Sequence, residues 1–191
     1  EAVAGADIVV LAVKPQVMQE AVTALAPQIG AGRLIISIAA GIRTTAISRW
    51  LGDRGAVVRA MPNTPALVGS GATALYATPA VTTAQRSDAE SVMRSVGLAV
   101  WVATEAEMDA VTALSGCGPA YFFLIMECLE AAAGRLGIEP RLARQLTLHT
   151  AFGAAKLALA SAEDSAALRR RVTSPGGATE QALKVLEAGD L

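Results

Sequence analysis

Three short, mostly apolar runs alternate with helical patterns in the first sixty residues, and this alternation constrains the fold more than any other feature. The runs are Asp7–Val13, Leu34–Ile38 and Ala56–Ala60. Continuous apolar runs of this length are typical of strands buried on both faces of a parallel sheet. A helical pattern follows the first run, and Thr44–Leu51 supplies a second helix before the third run. The order strand, helix, strand, helix, strand predicts a doubly wound α/β sheet.

Ligands of such sheets bind beyond the carboxyl ends of the strands, which directs attention to the loops that follow them. These loops are Ala12–Pro15, Ser37–Gly41 and Met61–Pro65. Each is built from small residues or stiffened by proline, so a ligand can lie close to the backbone. The sequence therefore predicts a cofactor site formed by the three loops at one edge of the sheet.

The sheet is predicted to continue for two further strands before the pattern changes. We expect a strand at Ala72–Tyr76, a helix at Val81–Val96 with Gly97 as its C-cap, and a last strand at Val100–Ala103. From Thr104 onward the periodicity is helical throughout. The predicted domains are therefore residues 1–103, an α/β domain, and residues 104–191, an all-helical domain.

The helical half contains clear start and stop signals. Thr104 followed by Glu107 reads as a capping box, and a helix is predicted from Tyr121 to about Leu136, ended by Gly137. Pro140 opens the next helix, since proline prefers the first helical position. Small residues recur about one turn apart on that helix, at Ala143, Thr147, Ala151, Ala154 and Ala158. They predict close approach of another helix, either from the same subunit or from a second one.

The segment Val172–Leu191 predicts a binding site for a small anion. Ser174-Pro175-Gly176-Gly177-Ala178-Thr179 leads directly into a short helix that runs to about Leu186. Glycine amides and a helix N-terminus together attract a negative charge, and flanking hydroxyls can hold a neighbouring polar atom. No Walker-type lysine follows the glycines, so a small carboxylate fits better than a nucleoside triphosphate. The alternative is a Pro-Gly turn that only links two helices.

Composition narrows the classes of partner. A formal net charge of −1 gives no electrostatic reason to expect nucleic acid or an anionic membrane surface. Glycines and a proline interrupt the longest uncharged run, Ala110–Met126, which makes it a poor membrane span. Cys117, Cys128 and the single His149 show no metal-ligand spacing. We therefore expect a reduced cytoplasmic protein without a metal site, with His149 in a structural or surface position.

A dinucleotide-binding sheet normally opens with a Gly-x-Gly-x-x-Gly turn, and no segment here matches it. Gly69-Ser70-Gly71 opens no helix, and Gly116-Cys117-Gly118 lies in the helical half and is followed by proline. Two readings are open: the protein binds no dinucleotide, or its first βαβ unit is missing from this sequence. The start at Glu1, without methionine, favours the second.

Taken in order, several motifs resemble those of the pyrroline-5-carboxylate reductases along nearly the whole chain. The most specific are Arg59-Ala60-Met61-Pro62-Asn63-Thr64-Pro65, Ser115-Gly116-Cys117-Gly118-Pro119-Ala120-Tyr121 and Ser174-Pro175-Gly176-Gly177-Ala178-Thr179. The resemblance implies part of a Rossmann-like sheet followed by a helical dimerisation domain like the C-terminal domain of 6-phosphogluconate dehydrogenase. The family's N-terminal Gly-rich loop and last C-terminal helix have no match, so the resemblance suggests a fragment.

The resemblance also implies an activity. The family (EC 1.5.1.2) reduces 1-pyrroline-5-carboxylate to L-proline with NADPH or NADH, the last step of proline biosynthesis. The implied substrate-binding residues are Ser174, Pro175, Gly176, Gly177 and Thr179, with Thr179, as the candidate catalytic residue, reaching the ring nitrogen. The implied cofactor-binding residues are Ala12, Val13, Lys14, Pro15, Ala39, Ala40 and Asn63. Family subunits interlock through the helical half, which implies a homodimer or higher homo-oligomer.

Two alternatives remain open at the level of sequence. One is a β-hydroxyacid dehydrogenase of similar architecture, for which Lys156 would be the acid/base, although no matching pattern surrounds it. The other is a non-catalytic dimerisation module, if the natural chain is this short. Tyr121 and Lys156 are predicted to be structural. Because the Gly-rich loop that binds the cofactor phosphates has no match in this sequence, we expect residues 1–191 alone to be inactive.

Overall fold

The computed structural model describes residue 3 and residues 5–189. The chain divides into two compact units, Glu1–Phe122 and Phe123–Leu191. The predicted domain boundary after residue 103 lies within the first unit, between its last strand and the helix that follows. The first unit therefore also contains the beginning of the helical half.

The first unit is built on a five-stranded mixed sheet in which sequential strands are neighbours. Its strands are β1 (Ile8–Leu11), β2 (Arg33–Ser37), β3 (Gly55–Met61), β4 (Gly71–Ala77) and β5 (Gly97–Trp101). β1, β2 and β3 run parallel, β4 runs antiparallel to β3, and β5 runs parallel to β4. The predicted α/β sheet is confirmed, with a reversal of direction between β3 and β4.

Helices connect the parallel strands, and short 3-10 turns adjoin several of them. The helices of this unit are α1 (Met18–Leu25), α2 (Thr44–Trp50), α3 (Thr83–Arg94) and α4 (Glu107–Val111). The 3-10 turns are Pro15–Val17, Ala26–Gln28 and Thr64–Val68. Each turn has proline at its first or second position, where a missing N–H is tolerated.

The sheet carries a hydrophobic core on each face, because successive side chains of a strand point to opposite faces. Ile35 and Val57 belong to the core that includes α1 and α2. Ile36 and Val58, the next residues along the same strands, belong to the core that includes α3. Burial on both faces explains why these strands read as continuous apolar runs rather than as alternating ones.

Gly97 is not a helix C-cap, contrary to the sequence prediction. Helix α3 ends at Arg94 with Ser95 as its C-cap, and Gly97 is the first residue of β5, which extends only to Trp101. Gly97 has a φ of +143°, and a Cβ at this position would stand 2.2 Å from the carbonyl oxygen of Gly71. The glycine is therefore required by the close approach of β4 to β5 and does not mark the end of a helix.

The predicted capping box at Thr104 is only half correct. Oε1 of Glu107 accepts hydrogen bonds from the Thr104 N–H at 3.0 Å and from its hydroxyl at 2.9 Å. Helix α4, however, begins at Glu107 itself, with Ala106 as N-cap. The Thr104 hydroxyl donates to the Glu107 carboxylate, and among the described residues no helical amide donates to it.

The second unit continues α5 (Gly118–Arg135), which crosses the division between the units, and adds three helices. These are α6 (Pro140–Ala160), α7 (Ser165–Arg171) and α8 (Ala178–Ala188). Gly137, with a φ of +86°, follows α5 and Pro140 opens α6, as predicted. Among the described residues of this unit, only Ala143 and Thr147 are buried. This unit therefore has almost no hydrophobic core of its own.

One helical stretch in the described part of the chain, Glu107–Arg135, is long and apolar enough to cross a membrane. This test uses length and composition only, and helices of soluble proteins also pass it. The stretch contains the π-turn Thr112–Gly116, which interrupts the regular α-helix.

Gly97→Ala should strongly destabilise the first unit, by about 3 kcal/mol or more, because the new methyl group collides with the Gly71 backbone at an unfavourable φ. The measurement is the free energy of unfolding in urea. Gly30→Ala is the matched control, because its new methyl group meets only the end of the Arg33 side chain, at 3.8 Å. Equal stability of the two variants would contradict the account of Gly97.

Candidate functional site

The three predicted ligand loops lie at one edge of the sheet, because β1, β2 and β3 are parallel and in register. Leu11 pairs with Ser37, and Ser37 pairs with Arg59, so the three strands end side by side. The loop positions predicted from the sequence are thereby confirmed. The site residues themselves remain predictions.

The loop after β1 is exposed along its whole length. Ala12, Val13, Lys14 and Pro15 are all accessible to solvent. The Lys14 carbonyl accepts the N–H of Val17 at 3.1 Å, which closes the 3-10 turn Pro15–Val17. The loop therefore presents a fixed backbone, an apolar Val13 side chain and a positively charged Lys14.

The loop after β2 is shaped by a buried serine. The Ser37 side chain is buried, and its Oγ accepts the Ala39 N–H at 3.4 Å. Ala39 is buried as well, whereas Ala40 and Gly41 are exposed, and Gly41 has a φ of +75°. A Cβ at Gly41 would meet no atom within 4 Å, so the glycine serves the backbone turn and leaves open space beside it. Such an open surface of small residues suits a flat ring.

The loop after β3 is held by Asn63. Its Oδ1 accepts the Ala72 N–H at 2.9 Å, and its Nδ2 donates to the Ser115 carbonyl at 3.0 Å. The side chain therefore joins β3, the start of β4 and the π-turn before α5. An asparagine amide has two donors and an acceptor with two lone pairs, so capacity for one further partner remains on each atom.

Two of the sequence motifs meet in space at this loop. Met61, at the end of β3, lies against Gly116, where a Cβ would stand 2.5 Å from the Met61 Cε. Gly116 closes the π-turn Thr112–Gly116, a local irregularity that is frequent at functional sites. The Tyr121 hydroxyl donates to the Ala113 carbonyl at 3.1 Å, which agrees with the structural role expected of Tyr121.

The predicted anion loop lies in the second unit and is exposed, and its glycine amides already have partners. Gly176, with a φ of +73°, donates its N–H to Oε2 of Glu180 at 2.8 Å. The Gly177 N–H donates to the Ser174 carbonyl at 3.0 Å, which closes the turn. The Gly176 N–H therefore donates to a carboxylate, and here that carboxylate belongs to the chain's own Glu180.

Helix α8 starts directly at this loop, with Gly177 as an N-cap that has no capping side chain. Thr179 is exposed in the first turn of the helix, close in sequence to the exposed Ser174 and Pro175. Glu180 also lies 3.4 Å from the Lys184 Nζ, an ion pair one turn apart on the helix. Thr179 thus has the accessibility that a substrate-binding hydroxyl requires.

Other candidates show no sign of catalytic chemistry. The Lys156 Nζ lies 5.9 Å from the centre of the Phe152 ring on exposed α6. Cys117 and Cys128 are free and exposed. Within residue 3 and residues 5–189, no group of three His, Cys, Asp or Glu side chains is arranged to hold a metal ion.

Sequence reasoning missed two carboxylates. Glu105 accepts from the N–H and the hydroxyl of Thr44, and Glu180 accepts from Gly176. Glu180 is three residues after the N-cap Gly177, a spacing from which such a contact could have been anticipated. Glu105 is 61 residues from Thr44, and no local pattern indicates that contact.

Comparison with known families gives two matches. The family model described as pyrroline-5-carboxylate reductase dimerisation matches residues 105–191. The model described as NADP oxidoreductase, coenzyme F420-dependent, matches residues 1–41.

Similar proteins carry a consistent description. The pyrroline-5-carboxylate reductase of Pseudomonas aeruginosa is 53% identical over 98% of this chain and 69% of its own length. That of Haemophilus influenzae is 42% identical over 96% of this chain and 68% of its own length. The solved structure of the Coxiella burnetii reductase matches with a TM-score of 0.91 and 49% identity, covering 97% of this chain and 69% of that one. The Plasmodium falciparum enzyme, solved with NADP bound, matches with a TM-score of 0.91 and 31% identity, covering 98% and 71%.

Asn63→Ala should lower the free energy of unfolding of the first unit by about 2 kcal/mol, because the Ala72 N–H and the Ser115 carbonyl each lose a partner. Thr64→Ala, at the exposed next position, is the control and should change stability by less than about 0.5 kcal/mol. Both values come from urea denaturation. A loss at Asn63 no larger than that at Thr64 would show that the two hydrogen bonds do not hold the loop.

Proposed function

Because the chain belongs to the pyrroline-5-carboxylate reductase family, we propose that it reduces 1-pyrroline-5-carboxylate to L-proline with NADPH or NADH. The observation that carries the proposal is 53% identity to a reductase over 98% of the chain. Family membership favours this reaction over that of a β-hydroxyacid dehydrogenase, for which Lys156 offers only an exposed ammonium group beside a phenylalanine.

The edge of the sheet fits the nicotinamide part of the cofactor. Small or exposed residues end the parallel strands there, and Gly41 leaves open space beside them. The residues proposed to hold the cofactor are Ala12, Val13, Lys14, Pro15, Ala39, Ala40 and Asn63. When bound, the cofactor supplies the hydride, and these residues position it.

The substrate carboxylate is proposed to bind Ser174 and the amides of Gly176 and Gly177, with Pro175 stiffening the loop. The Glu180 carboxylate occupies the Gly176 N–H at 2.8 Å, and the Ser174 carbonyl occupies the Gly177 N–H at 3.0 Å. Substrate must therefore displace Glu180 and share or release the Gly177 N–H to use both donors. Displacement is feasible because both groups lie at an accessible loop and Lys184 can retain the Glu180 charge. The first amides of α8 add the positive end of the helix dipole.

Thr179 is proposed to hold the ring nitrogen of the substrate through its hydroxyl. Reduction places a proton on that nitrogen, and a hydroxyl can either accept from a protonated imine or donate to a neutral one. Thr179 therefore orients the reacting ring. A hydroxyl is too weak an acid to be required as the proton source when the imine is already protonated.

We propose that the active protein is a homodimer or a higher homo-oligomer. Two independent facts support this. The family model matching residues 105–191 is described as dimerisation, and the second unit buries only Ala143 and Thr147 among its described residues. Large apolar side chains remain exposed on its helices, among them Phe123, Leu124, Leu129, Leu146 and Phe152. A second copy of this chain is the partner proposed to cover them.

We also propose two domains and a cytoplasmic location for the protein. The division into residues 1–103 and 104–191 agrees in position with the start of the family match at residue 105. A cytoplasmic location is compatible with the exposed free thiols of Cys117 and Cys128. We propose no nucleic-acid, membrane or metal partner.

The test of the function is an NADPH-oxidation assay on the protein as its gene encodes it. Turnover of 1-pyrroline-5-carboxylate, with L-proline identified as product, is the expected result. Oxidation of 3-hydroxy acids in the presence of NADP⁺, without reduction of pyrroline-5-carboxylate, would overturn the proposal. Assembly without either activity would favour the dimerisation module.

Thr179→Ala should lower kcat/KM for pyrroline-5-carboxylate roughly 10- to 100-fold, because a hydrogen bond to the reacting ring is lost. Thr179→Ser keeps the hydroxyl and should retain most of the activity. Steady-state kinetics at saturating cofactor measure both variants. An unchanged kcat/KM in Thr179→Ala would remove Thr179 from the reaction.

Phe152→Glu should shift the protein toward monomer, since it places a charge in the proposed interface on α6, where Phe152 is 66% exposed in the single chain. Gln145→Glu, at another exposed position of α6, adds the same charge at a polar site and is the control. Sedimentation velocity reports the mass of each variant. A dimer that persists in Phe152→Glu at low micromolar concentration would exclude this part of α6 from the interface.

A further inference from the structure

We propose that the buried ion pair of Arg59 and Glu105 is a positioning device that fixes the loop Ala39–Gly41 for the cofactor. The inference rests on the proposed function, because it concerns the site assigned there to the nicotinamide. Neither residue is in the set of cofactor-binding residues. Each would act on that set through the start of helix α2.

Arg59 lies inside the sheet although it carries a full charge. It is 2% exposed on β3, between Ser37 of β2 and Tyr76 of β4. The alternation of β3 puts it on the same face as Val57, which is the face covered by α1 and α2. Its Nη1 donates to Oε1 of Glu105 at 3.3 Å. A guanidinium buried this deeply needs a partner, and Glu105 is that partner.

Glu105 in turn holds the first residue of α2 with both oxygens. Oε1 accepts the Thr44 N–H at 2.7 Å, and Oε2 accepts the Thr44 hydroxyl at 2.8 Å. The N-cap, Arg43, provides no capping hydrogen bond from its side chain. The carboxylate of a distant segment therefore replaces the missing local cap, and the position of Glu105 determines where α2 begins.

The loop Ala39–Gly41 is consequently fixed at both ends. At its start, the buried Ser37 side chain accepts the Ala39 N–H. Three residues after Gly41, Thr44 is held by Glu105. The exposed residues between these two anchors, including Ala40 and the left-handed Gly41, have few contacts of their own. Release of the second anchor should therefore loosen this loop before it affects the strands.

A contribution to folding stability does not by itself explain why the chain buries the Arg59–Glu105 ion pair. Buried ion pairs can often be replaced by apolar residues without loss of stability, because desolvation offsets their attraction. The Arg59 Nη2 is buried and makes no hydrogen bond in the described structure, and it lies 3.9 Å from Oδ1 of Asp109. The pair thus carries an energetic cost that a purely apolar core would avoid, and its contact with Thr44 gives it a directional role.

The test compares Glu105→Gln with the wild type in the protein as its gene encodes it. Loss of the charge weakens both the Arg59 and the Thr44 contacts, so NADPH binding should weaken about tenfold in titration calorimetry. The KM for NADPH should rise by a similar factor, while kcat and the KM for pyrroline-5-carboxylate stay within about twofold. Amide hydrogen exchange without cofactor should become faster for residues 39–44 by a larger factor than in β2 and β3.

Asp109→Asn is the matched control. Asp109 is the other carboxylate paired with Arg59, but its side chain is mostly exposed and its Oδ1 lies 3.9 Å from the Arg59 Nη2, beyond hydrogen-bond distance. It should leave NADPH affinity and exchange unchanged. Thr44→Val removes the hydroxyl contact with little change in volume, and Thr44→Ser restores a hydroxyl. NADPH affinity should fall in the first and recover in the second, which keeps the test valid if Glu105→Gln fails to fold.

A lower melting temperature in Glu105→Gln, with NADPH affinity and exchange at residues 39–44 unchanged, would overturn the proposal and leave a purely stabilising pair. Equal affinity in Thr44→Val and Thr44→Ser would also overturn it. If the wild type itself does not bind NADPH, the proposed function fails. The exchange experiment would then still decide whether Glu105 fixes the loop.

Discussion

The parallel pairing of the first three strands is the constraint on which the proposed cofactor site depends. Because Leu11, Ser37 and Arg59 are paired across β1, β2 and β3, the three following loops end at one edge. A different local interaction then fixes the backbone of each loop. A 3-10 turn with proline shapes the first, the buried Ser37 shapes the second, and the amide of Asn63 shapes the third. None of these means requires a ligand, so the edge is organised before any cofactor arrives.

The second unit differs from the first in the source of its stability. The sheet has two hydrophobic cores, whereas the described residues of the helical unit bury only Ala143 and Thr147. Burial of apolar surface is the main favourable term in folding, at about 25 cal/mol per Å². Helices that expose Phe123, Leu124 and Phe152 gain this term only when another surface covers them. The apolar character of α5 is consistent with the proposed contact between copies of the chain.

The sequence predicted the elements well because burial on both faces leaves a plain signal. β1 to β4, the stop at Gly137 and the start at Pro140 all follow from local patterns. It failed at Gly97 because a glycine needed for close strand approach looks the same as a C-cap glycine. It failed at Thr104 because the Glu107 carboxylate accepts from Thr104 as in a capping box, while the helix itself begins only at Glu107. The contact of Glu105 with Thr44 spans 61 residues, and that of Asn63 with Ser115 spans 52 residues. No local sequence pattern encodes partners at such distances. The direction of β4 likewise depends on pairing across the sheet.

Helices α2 and α8 both begin beside a carboxylate, and the contrast between these two helix starts bears on where an external anion can bind. At α2, Glu105 takes both the N–H and the hydroxyl of Thr44 and is itself held by the buried Arg59, so this helix start is closed. At α8, Glu180 comes from the helix itself, bonds only the Gly176 N–H, and is paired with an exposed Lys184. A carboxylate fixed by a buried guanidinium is costly to displace, whereas one on an accessible loop exchanges with solvent and solutes at little cost. The same interaction is therefore structural at α2, and at α8 it leaves the loop available to the proposed substrate.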